Sequence, residues 1–479
     1  MKIFVIWPFK ESEISILFSE LEKNGHEVVY WVGLKEGEKY KPTGAVFHDH
    51  NDAWVGLPSK EVDASSFVPP DEELLKKLHK TESYLLTMMN KRYYYMSVDE
   101  RKHFYYNMLQ YWKGVIDKYK PDLIIFPTIP HTVYNYLIYE LAILFNIKTV
   151  MFEDIQVGER ILLYNIWEEG CLDLKKKLIM NKDKIFLLTD LSSDLQEYFN
   201  LQTKDGRGDA TPPYMSHYKK VYTGVNFFRH KFKIIINAIK NGSILKRVLD
   251  FIVKIKKNPQ KEYNKLQIKP DYSKSFVYIA LCYQPERTTS PQGGVFVDQI
   301  LMIETLSAAL PEGWVLYVKE HPSQMWLNGL NYSSCRYEGY YKRIAQLKNT
   351  HIIPVETNSF ELIKKSQAVA TVTGTVGWEA ALRMKPAIIF GYAWYHDCPG
   401  IFRVNSAQTC RQVFSDITNG FSIRKQDIIN YLKSIDNVAV NSQIDRISGS
   451  ILRPSKLSNS EMMTNITKAI IKNIKKIIN

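Results

Sequence analysis

Cysteine is scarce in this sequence and is not arranged as disulfide frameworks or zinc sites require. The five cysteines among 479 residues are Cys171, Cys282, Cys335, Cys398 and Cys410. Their odd number, their wide spacing and the lack of any Cys-x-x-Cys pattern argue against both kinds of cross-link. The sequence therefore favours a reducing compartment.

Long apolar runs are also missing. The first apolar segment, KIFVIW (2–7), is followed directly by Pro8 and is too short for the core of a signal peptide. No apolar run reaches the roughly 18 residues that a membrane-spanning helix needs. We therefore expect a cytoplasmic protein that does not span the membrane.

Acidic residues are outnumbered, with 50 Asp and Glu against 63 Lys and Arg, and the formal charge is +13. Such an excess indicates an anionic partner: nucleic acid, an acidic membrane surface, or a phosphorylated donor with a lipid-linked acceptor. Residues 229–269 hold twelve of the basic residues among apolar ones. Because no helix-turn-helix, zinc-finger or RNP-like pattern accompanies them, we expect no nucleic acid and favour peripheral contact with the inner face of the cytoplasmic membrane.

The chain length predicts two domains, because a single core rarely grows to 479 residues. Apolar runs alternate with helical segments up to residue 152 and again after Pro270, which is typical of parallel, doubly wound sheets. The expected fold class is α/β with two Rossmann-like domains. The predicted segments are an N-terminal domain at 1–225 with a helical insert at 72–118, a basic amphipathic linker at 226–271, a C-terminal domain at 272–455 and an amphipathic helix at 456–479.

The last predicted helix separates isoleucines from lysines. Between residues 461 and 479 the isoleucines recur on one helical face and the lysines on another. Two interpretations remain open. The apolar face packs back onto a domain, or it lies on an anionic membrane surface.

Three polar segments follow predicted strands of the C-terminal domain, where ligands bind in open α/β sheets. In TVTGTVGWEAALRMKPAIIFG (371–391), small residues let backbone N–H groups approach a phosphate. In VKEHPSQ (318–324), a cation and an imidazole are suited to a nucleotide's phosphate. CYQPERTTSPQGG (282–294) is a long polar loop of the kind that carries function. The candidate donor-binding residues are Gln284, Thr288, Thr289, Gly293, Gly294, Lys319, Glu320, His321, Pro322, Thr373, Gly374, Thr375, Gly377 and Glu379.

Together these segments resemble the bacterial capsule and O-antigen polysaccharide biosynthesis proteins, which include the Kdo transferases of capsule assembly. The resemblance rests on QPERTTSPQGG (284–294), KEHP (319–322) and TGTVGWEAALRMKPAIIFG (373–391). It implies a GT-B glycosyltransferase, with a cleft between two Rossmann-like domains and the donor held by the second. His321-Pro322 is similar to the HP motif with which bacterial sialyl- and Kdo-type transferases hold the phosphate of a CMP-sugar.

The resemblance also implies the reaction partners. The expected donor is CMP-activated Kdo or a nonulosonic acid, and the acceptor is a surface polysaccharide or a lipid-linked glycan. No cofactor and no metal are expected, because GT-B enzymes commonly use helix dipoles and basic residues instead. The lack of an Asp-x-Asp pattern beside a strand agrees with that expectation.

Candidate catalytic residues follow two predicted strands of the N-terminal domain. His131 lies just past a strand at 122–126, and Glu153 and Asp154 lie just past a strand at 148–152. A carboxylate here can act as general base or as nucleophile. We favour Asp154, with Glu153 and His131 as rivals, and Glu286 of the long loop is a further candidate. In the structural alternative Asp154 caps its loop and His131 packs against Tyr134.

Other functions fit parts of the same pattern. A UDP-sugar-dependent GT-B transferase needs the same strand-end groups. A nucleotide-sugar epimerase of GT-B shape shares the two domains and a glutamate in the late glycine-rich motif, and it needs no lipid acceptor. A non-catalytic assembly or export protein of capsule biosynthesis would use the basic segments alone for docking.

Overall fold

The computed structural model describes residues 1–9, 12–204, 259–329, 335–444 and 455–478. Contacts divide the chain into two compact units. The first unit comprises Met1–Asn200, Ser290–Val295 and Lys425–Asn479, and the second comprises Leu201–Thr289 and Phe296–Arg424. Among the described residues, no helix is long and apolar enough to cross a membrane.

A seven-stranded sheet forms the centre of the first unit. Its strands, numbered in chain order, are β1 (Lys2–Ile6), β2 (Glu27–Gly33), β3 (Val46–Asp49), β4 (Leu123–Ile125), β5 (Lys148–Asp154), β6 (Arg160–Tyr164) and β13 (Val440–Asn441). The order across the sheet is β13-β6-β5-β4-β1-β2-β3. Strands β1 to β5 pair in parallel, whereas β6 is antiparallel to both of its neighbours. The parallel part has the strand order of a Rossmann fold.

Helices cover this sheet, and three of them lie in the segment predicted as a helical insert. They are α1 (Ile14–Lys23), α2 (His50–Trp54), α3 (Glu72–Lys77), α4 (His79–Met88), α5 (Val98–Tyr119), α6 (Val133–Leu144), α7 (Leu172–Asn181), α8 (Ser193–Thr203), α15 (Lys425–Val438) and α16 (Asn459–Ile478). Helix α5 begins at a capping box formed by Ser97 and Glu100, and it buries residues such as Met108, Trp112 and Val115 at helical spacing.

The second unit is built on a six-stranded parallel sheet. Its strands are β7 (Phe276–Ala280), β8 (Val315–Lys319), β9 (Thr350–Ile352), β10 (Ala368–Thr371), β11 (Ala387–Ile389) and β12 (Ile401–Arg403). The order β12-β11-β10-β7-β8-β9 is the complete Rossmann order, and every pairing is parallel. The helices are α9 (Pro259–Leu266), α10 (Gln299–Ala309), α11 (Tyr340–Ala345), α12 (Ser359–Lys365), α13 (Val376–Leu382) and α14 (Ala407–Thr418). Two Rossmann-like sheets confirm the predicted α/β fold class.

The domain limits differ from the expected ones at the C-terminal side. The sequence places the end of the second domain at 455, whereas residues 425–444 belong to the first unit. Helix α15 packs on α7, and β13 extends the first sheet through β6. The predicted linker at 226–271 lies largely outside the described residues. Its described part contains α9, whose Tyr263 is buried and donates a hydrogen bond to the Ile353 carbonyl at 2.5 Å.

The position of helix α16 distinguishes between the two interpretations of the C-terminal amphipathic segment, because its apolar face packs on the first unit. Ile466, Ile470 and Ile474 are fully buried in the core of the first unit, in the same cluster as Ile14 and Leu17 of α1. The apolar face of α16 is therefore used for packing. It is not available for insertion into a membrane.

Candidate functional site

The three polar segments predicted to bind a donor follow β7, β8 and β10, which are neighbours in the second sheet. Strands β7 and β10 flank the point where the strand order reverses, which is the usual ligand site of such sheets. The side chain of Thr371, the last residue of β10, joins them: its hydroxyl donates to the Ala280 carbonyl at 3.0 Å and lies 3.4 Å from the Cys282 sulfur. The fold thus brings the starts of the three segments to one edge.

A buried ion pair lies beneath this edge. Both nitrogens on one side of the Arg336 guanidinium donate to Glu320, at 2.6 and 3.2 Å, and each residue is about 1% exposed. Arg336 also donates to the Gln284 side-chain oxygen at 2.6 Å and to the Cys282 carbonyl at 3.2 Å. One guanidinium therefore ties the segment after β7 to the segment after β8.

Glu320 and Gln284, both predicted as donor ligands, are engaged in hydrogen bonds within the second unit. Besides the guanidinium, Glu320 accepts from the Tyr341 hydroxyl at 2.7 Å and from the His321 backbone N–H at 2.7 Å. Four donors leave this carboxylate little capacity for a ligand. The Gln284 amide donates to the Val297 carbonyl at 2.6 Å and is also buried. Their partner Arg336 was missed, because nothing in the sequence marks a cation as buried.

His321 is held as a neutral imidazole with one nitrogen available. The Ser323 backbone N–H donates to Nδ1 at 3.2 Å, and because an N–H can only donate, the proton of the neutral ring sits on Nε2. Burial lowers the pKa of His321 to about 4, so the ring stays uncharged at neutral pH. Nε2 has no hydrogen-bond partner among the described residues. His321 is therefore a preset hydrogen-bond donor.

Ser323 is a candidate that the sequence interpretation missed. Its side chain is 5% exposed, and its hydroxyl oxygen is buried without a hydrogen-bond partner in the described part of the chain. Buried hydroxyls are normally paired, so an unpaired one directly after the His321-Pro322 pair is a candidate ligand contact. Pro322 itself is exposed.

Lys319, the last residue of β8, is a buried cation. Its side chain is 7% exposed, and its ammonium donates to the Thr357 carbonyl at 2.6 Å and to the Ser359 hydroxyl at 2.7 Å. Burial lowers the pKa of Lys319 to about 8. An ammonium has three N–H groups, and the third has no partner within the described ranges. Lys319 can therefore offer a charged donor to an anion.

The glycine-rich turn after β10 is tightly packed. A side-chain carbon at Gly377 would lie 2.6 Å from the Tyr395 hydroxyl oxygen, and one at Gly374 would lie 2.8 Å from the Thr371 hydroxyl. Three backbone N–H groups of the turn, those of Gly374, Gly377 and Glu379, donate to acceptors within it. The predicted phosphate cradle therefore cannot use these three groups while they are so engaged.

The side chains of this turn fall into two groups. The Thr373 hydroxyl is buried and donates to the Thr288 carbonyl at 2.5 Å, which joins the turn to the loop after β7. Glu379 is half-buried, and Thr375 is exposed.

The long loop at 282–294 is divided between the units. Glu286 is exposed, whereas Thr289 is buried and its hydroxyl donates to the Glu286 carbonyl at 3.0 Å. Ser290–Val295 groups with the first unit, so Gly293 and Gly294 are not part of the second unit's strand edge. Gly294 has a φ of +55°, and a side-chain carbon there would lie 3.1 Å from the Tyr84 hydroxyl. Backbone conformation and packing on α4 therefore explain why glycine occupies position 294.

The carboxylates predicted in the first unit lie within β5 rather than past its end. Pairing with β6 extends this strand, and Asp154 is opposite Ile161. Glu153 and Asp154 are both buried, and Asp154 accepts a hydrogen bond from the Ile444 backbone N–H at 3.3 Å. His131 lies in the loop after β4, where its Nδ1 is 2.9 Å from the Ile129 carbonyl.

Two further histidines lie in β3 or directly after it, and this strand is one that the sequence interpretation did not identify. His48 is buried with its Nδ1 2.8 Å from the Tyr30 hydroxyl, and His50 Nδ1 is 2.7 Å from the Tyr134 hydroxyl. Burial lowers the pKa of both imidazoles to about 4. Tyr134, expected to pack against His131, thus forms its hydrogen bond with His50.

Comparison with solved structures finds matches of low sequence identity. The UDP-GlcNAc 2-epimerase from Methanocaldococcus jannaschii is 13% identical over 91% of this chain and 98% of that chain, with a TM-score of 0.26. The Thermosulfurimonas dismutans KpsC, a beta Kdo 2,7 transferase, is 11% identical over 75% and 89%, with a TM-score of 0.28. The spinosyn rhamnosyltransferase SpnG is 9% identical over 91% and 97%, with a TM-score of 0.25. At TM-scores this low, the likenesses do not identify an activity.

Sequence comparison is more specific. No curated protein matches the sequence. Residues 227–418 match the family described as capsule polysaccharide biosynthesis protein, and this range contains all three segments that follow β7, β8 and β10. The resemblance to capsule polysaccharide biosynthesis proteins is therefore confirmed for residues 227–418.

Proposed function

We propose that this protein is a glycosyltransferase of capsule polysaccharide biosynthesis that transfers CMP-activated Kdo or a nonulosonic acid to a surface polysaccharide or lipid-linked glycan. The observation that carries the proposal is the strand edge of the second unit. There the neutral His321 and the cationic Lys319 each offer an N–H without a described partner, beside the reversal point of a Rossmann sheet. The family match over the same residues supports it.

In the proposed reaction, His321 and Lys319 stabilise the nucleotide as it leaves. When the glycosidic bond to phosphate breaks, negative charge grows on a phosphoryl oxygen. A fixed donor such as His321 Nε2–H, together with the Lys319 ammonium, binds that oxygen more tightly in the transition state than in the ground state. A metal is not needed for this role, and we propose that activity persists in EDTA.

Catalysis at the sugar is assigned to the first unit. We propose Asp154 as the catalytic carboxylate, with Glu153 and His131 as rivals, acting as general base or as nucleophile. All three lie at or near the carboxyl ends of β4 and β5. The bond from the Ile444 N–H gives Asp154 a structural contact as well, so its test must preserve an acceptor at this position.

The location is also part of the proposal. We propose a cytoplasmic enzyme in peripheral contact with anionic membrane, where a lipid-linked acceptor would be reached. The net charge of +13 supports such contact.

The experiment is a thermal-shift series with CMP, CDP, UMP, UDP, GDP and ADP, because a ligand that binds the folded state raises its melting temperature. We expect a selective shift with CMP that His321→Ala abolishes, and turnover of a CMP-sugar that the same variant lowers by at least about tenfold. The matched control is His351→Ala, a histidine of the same sheet outside this edge. A selective shift with UDP would replace the CMP donor, and no shift with any nucleotide would contradict the transferase itself.

A further inference from the structure

The outward face of α16 carries a row of unpaired lysines. Lys468, Lys472 and Lys475 are exposed, recur at helical spacing and have no ion-pair partner among the described residues. They line a groove against α1 with a volume of about 790 Å³, together with Ile16 and Ile471. The groove thus combines a cationic rim with apolar walls.

The acidic residue that α1 contributes to the groove has a partner of its own. Glu20 is the acidic residue of the groove, and it is already paired with Lys23 at 2.8 Å. Thr467 also lines the groove, and its hydroxyl is buried without a hydrogen-bond partner in the described structure. A site with unpaired cations, apolar walls and an unsatisfied hydroxyl fits a phosphate-bearing amphiphile better than a purely apolar or purely ionic ligand.

Large apolar side chains are unusually exposed close by. Ile185 and Ile179 are 78% and 75% exposed, which makes them the most exposed large apolar residues that the structure describes. Met180 and Leu187 in the same stretch are also exposed, and Lys182, Asp183 and Lys184 lie between them. Contiguous exposed apolar groups interleaved with lysines are typical of a surface that meets a membrane or a partner.

A direct contact joins α16, which carries the lysines, to α7, on which the exposed apolar stretch begins. Lys476 of α16 forms an ion pair with Asp173 of α7 at 2.7 Å, and Asn473 and Asn165 exchange hydrogen bonds beside it. The apolar ridge, defined as Ile179, Met180, Ile185 and Leu187, therefore begins on a helix that α16 touches. The lysine row, defined as Lys468, Lys472 and Lys475, belongs to the same compact unit.

We infer that the lysine row and the apolar ridge form a docking surface for anionic phospholipid, with the headgroup phosphate in the α1/α16 groove. The inference rests on the proposed membrane contact and specifies where it occurs. Attachment does not use the apolar face of α16, which is buried. It uses the opposite, lysine-bearing face for charge attraction and the ridge for shallow insertion.

The test measures binding of the full chain to vesicles of phosphatidylcholine with and without phosphatidylglycerol. We expect binding only with phosphatidylglycerol. The triple variant Lys468→Gln/Lys472→Gln/Lys475→Gln should lose at least about tenfold in affinity at low salt. Its control, Lys60→Gln/Lys118→Gln/Lys348→Gln, makes the same charge change on exposed lysines elsewhere and should bind like the wild type.

A second pair of variants examines the ridge. Ile179→Ser/Ile185→Ser should weaken vesicle binding by about tenfold, whereas Leu57→Ser/Val68→Ser, at other exposed apolar positions, should not. Wild-type vesicle binding in both test variants would overturn this surface while leaving membrane contact intact. Failure of the wild type to bind phosphatidylglycerol vesicles would overturn both. The donor site is tested separately, because the CMP shift needs no vesicles.

Discussion

The carboxyl edges of the two sheets both carry buried polar residues, and they use them differently. In the second unit the charges of Glu320 and Arg336 satisfy each other beneath the edge, and His321 and Lys319 are left with N–H groups to offer. In the first unit the predicted carboxylates are part of an antiparallel strand pair, with Asp154 held by the Ile444 N–H. Polar side chains at the two edges are therefore not equivalent: His321 and Lys319 retain N–H groups to offer, whereas Asp154 also has a structural contact.

The largest expected effect comes from removing one partner of the buried Glu320–Arg336 ion pair in the second unit. Glu320→Gln leaves the buried Arg336 charge uncompensated and should lower the free energy of unfolding by about 3–5 kcal/mol, measured by urea denaturation. Glu286→Gln, at an exposed carboxylate, is the control and should not change it. If Glu320→Gln leaves the free energy of unfolding unchanged but weakens CMP binding, Glu320 contacts the donor.

The next effect separates catalysis from structure in the first unit. Asp154→Asn keeps an acceptor for the Ile444 N–H, so its unfolding free energy should change by less than about 1 kcal/mol, while turnover falls at least about a hundredfold. Glu153→Gln is the control and should keep most of the activity. If the two results are exchanged, Glu153 is the catalytic carboxylate. If neither variant loses turnover, both carboxylates are structural and His131 is left as the first-unit candidate.

Lys319 should make nucleotide affinity depend on pH. Burial lowers its pKa to about 8, and a bound phosphate stabilises the ammonium, so binding takes up a proton above that pH. Affinity for CMP should therefore fall by about tenfold between pH 7 and pH 9. Titration calorimetry in two buffers of different ionisation enthalpy measures the uptake. Lys319→Met should bind weakly with no such slope, and an equal slope in that variant would assign the proton to another group.

The smallest effect concerns the link between two loops. Thr373→Val removes the hydroxyl that donates to the Thr288 carbonyl and should cost about 1 kcal/mol of unfolding free energy. Thr375→Val, two residues on and exposed, should cost less. Equal losses in the two variants would mean that the bond does not stabilise the edge.

Local pattern was enough to predict most of the sheets. The strands predicted at 122–126 and 148–152 are continuous apolar runs, and they agree with β4 and β5 to within one or two residues. Strand β3 was missed because its four residues include His48 and Asp49, which do not resemble a buried strand. The pairing that extends β5 to Asp154 depends on β6, and no local signal reveals such an extension.

The candidate site was predicted in outline only. The positions of His321, Lys319 and Thr373 at strand ends followed from periodicity and from the family resemblance. Arg336 could not be predicted, because its role depends on burial against Glu320, 16 residues earlier in the chain. The grouping of Gly294 with the first unit is likewise a tertiary fact.

The return of residues 425–444 and of α16 to the first unit has a consequence for synthesis. Ribosomes make a chain from its N-terminus, and domains generally fold as they emerge. All residues of the second unit are synthesised before α15, β13 and α16. In the first unit, β6 cannot pair with β13, and Leu17 cannot pack in one core with Ile470, until these last segments have been synthesised. The unit that begins first therefore finishes last, and in that interval its open strand edge and apolar core are what a chaperone would have to shield.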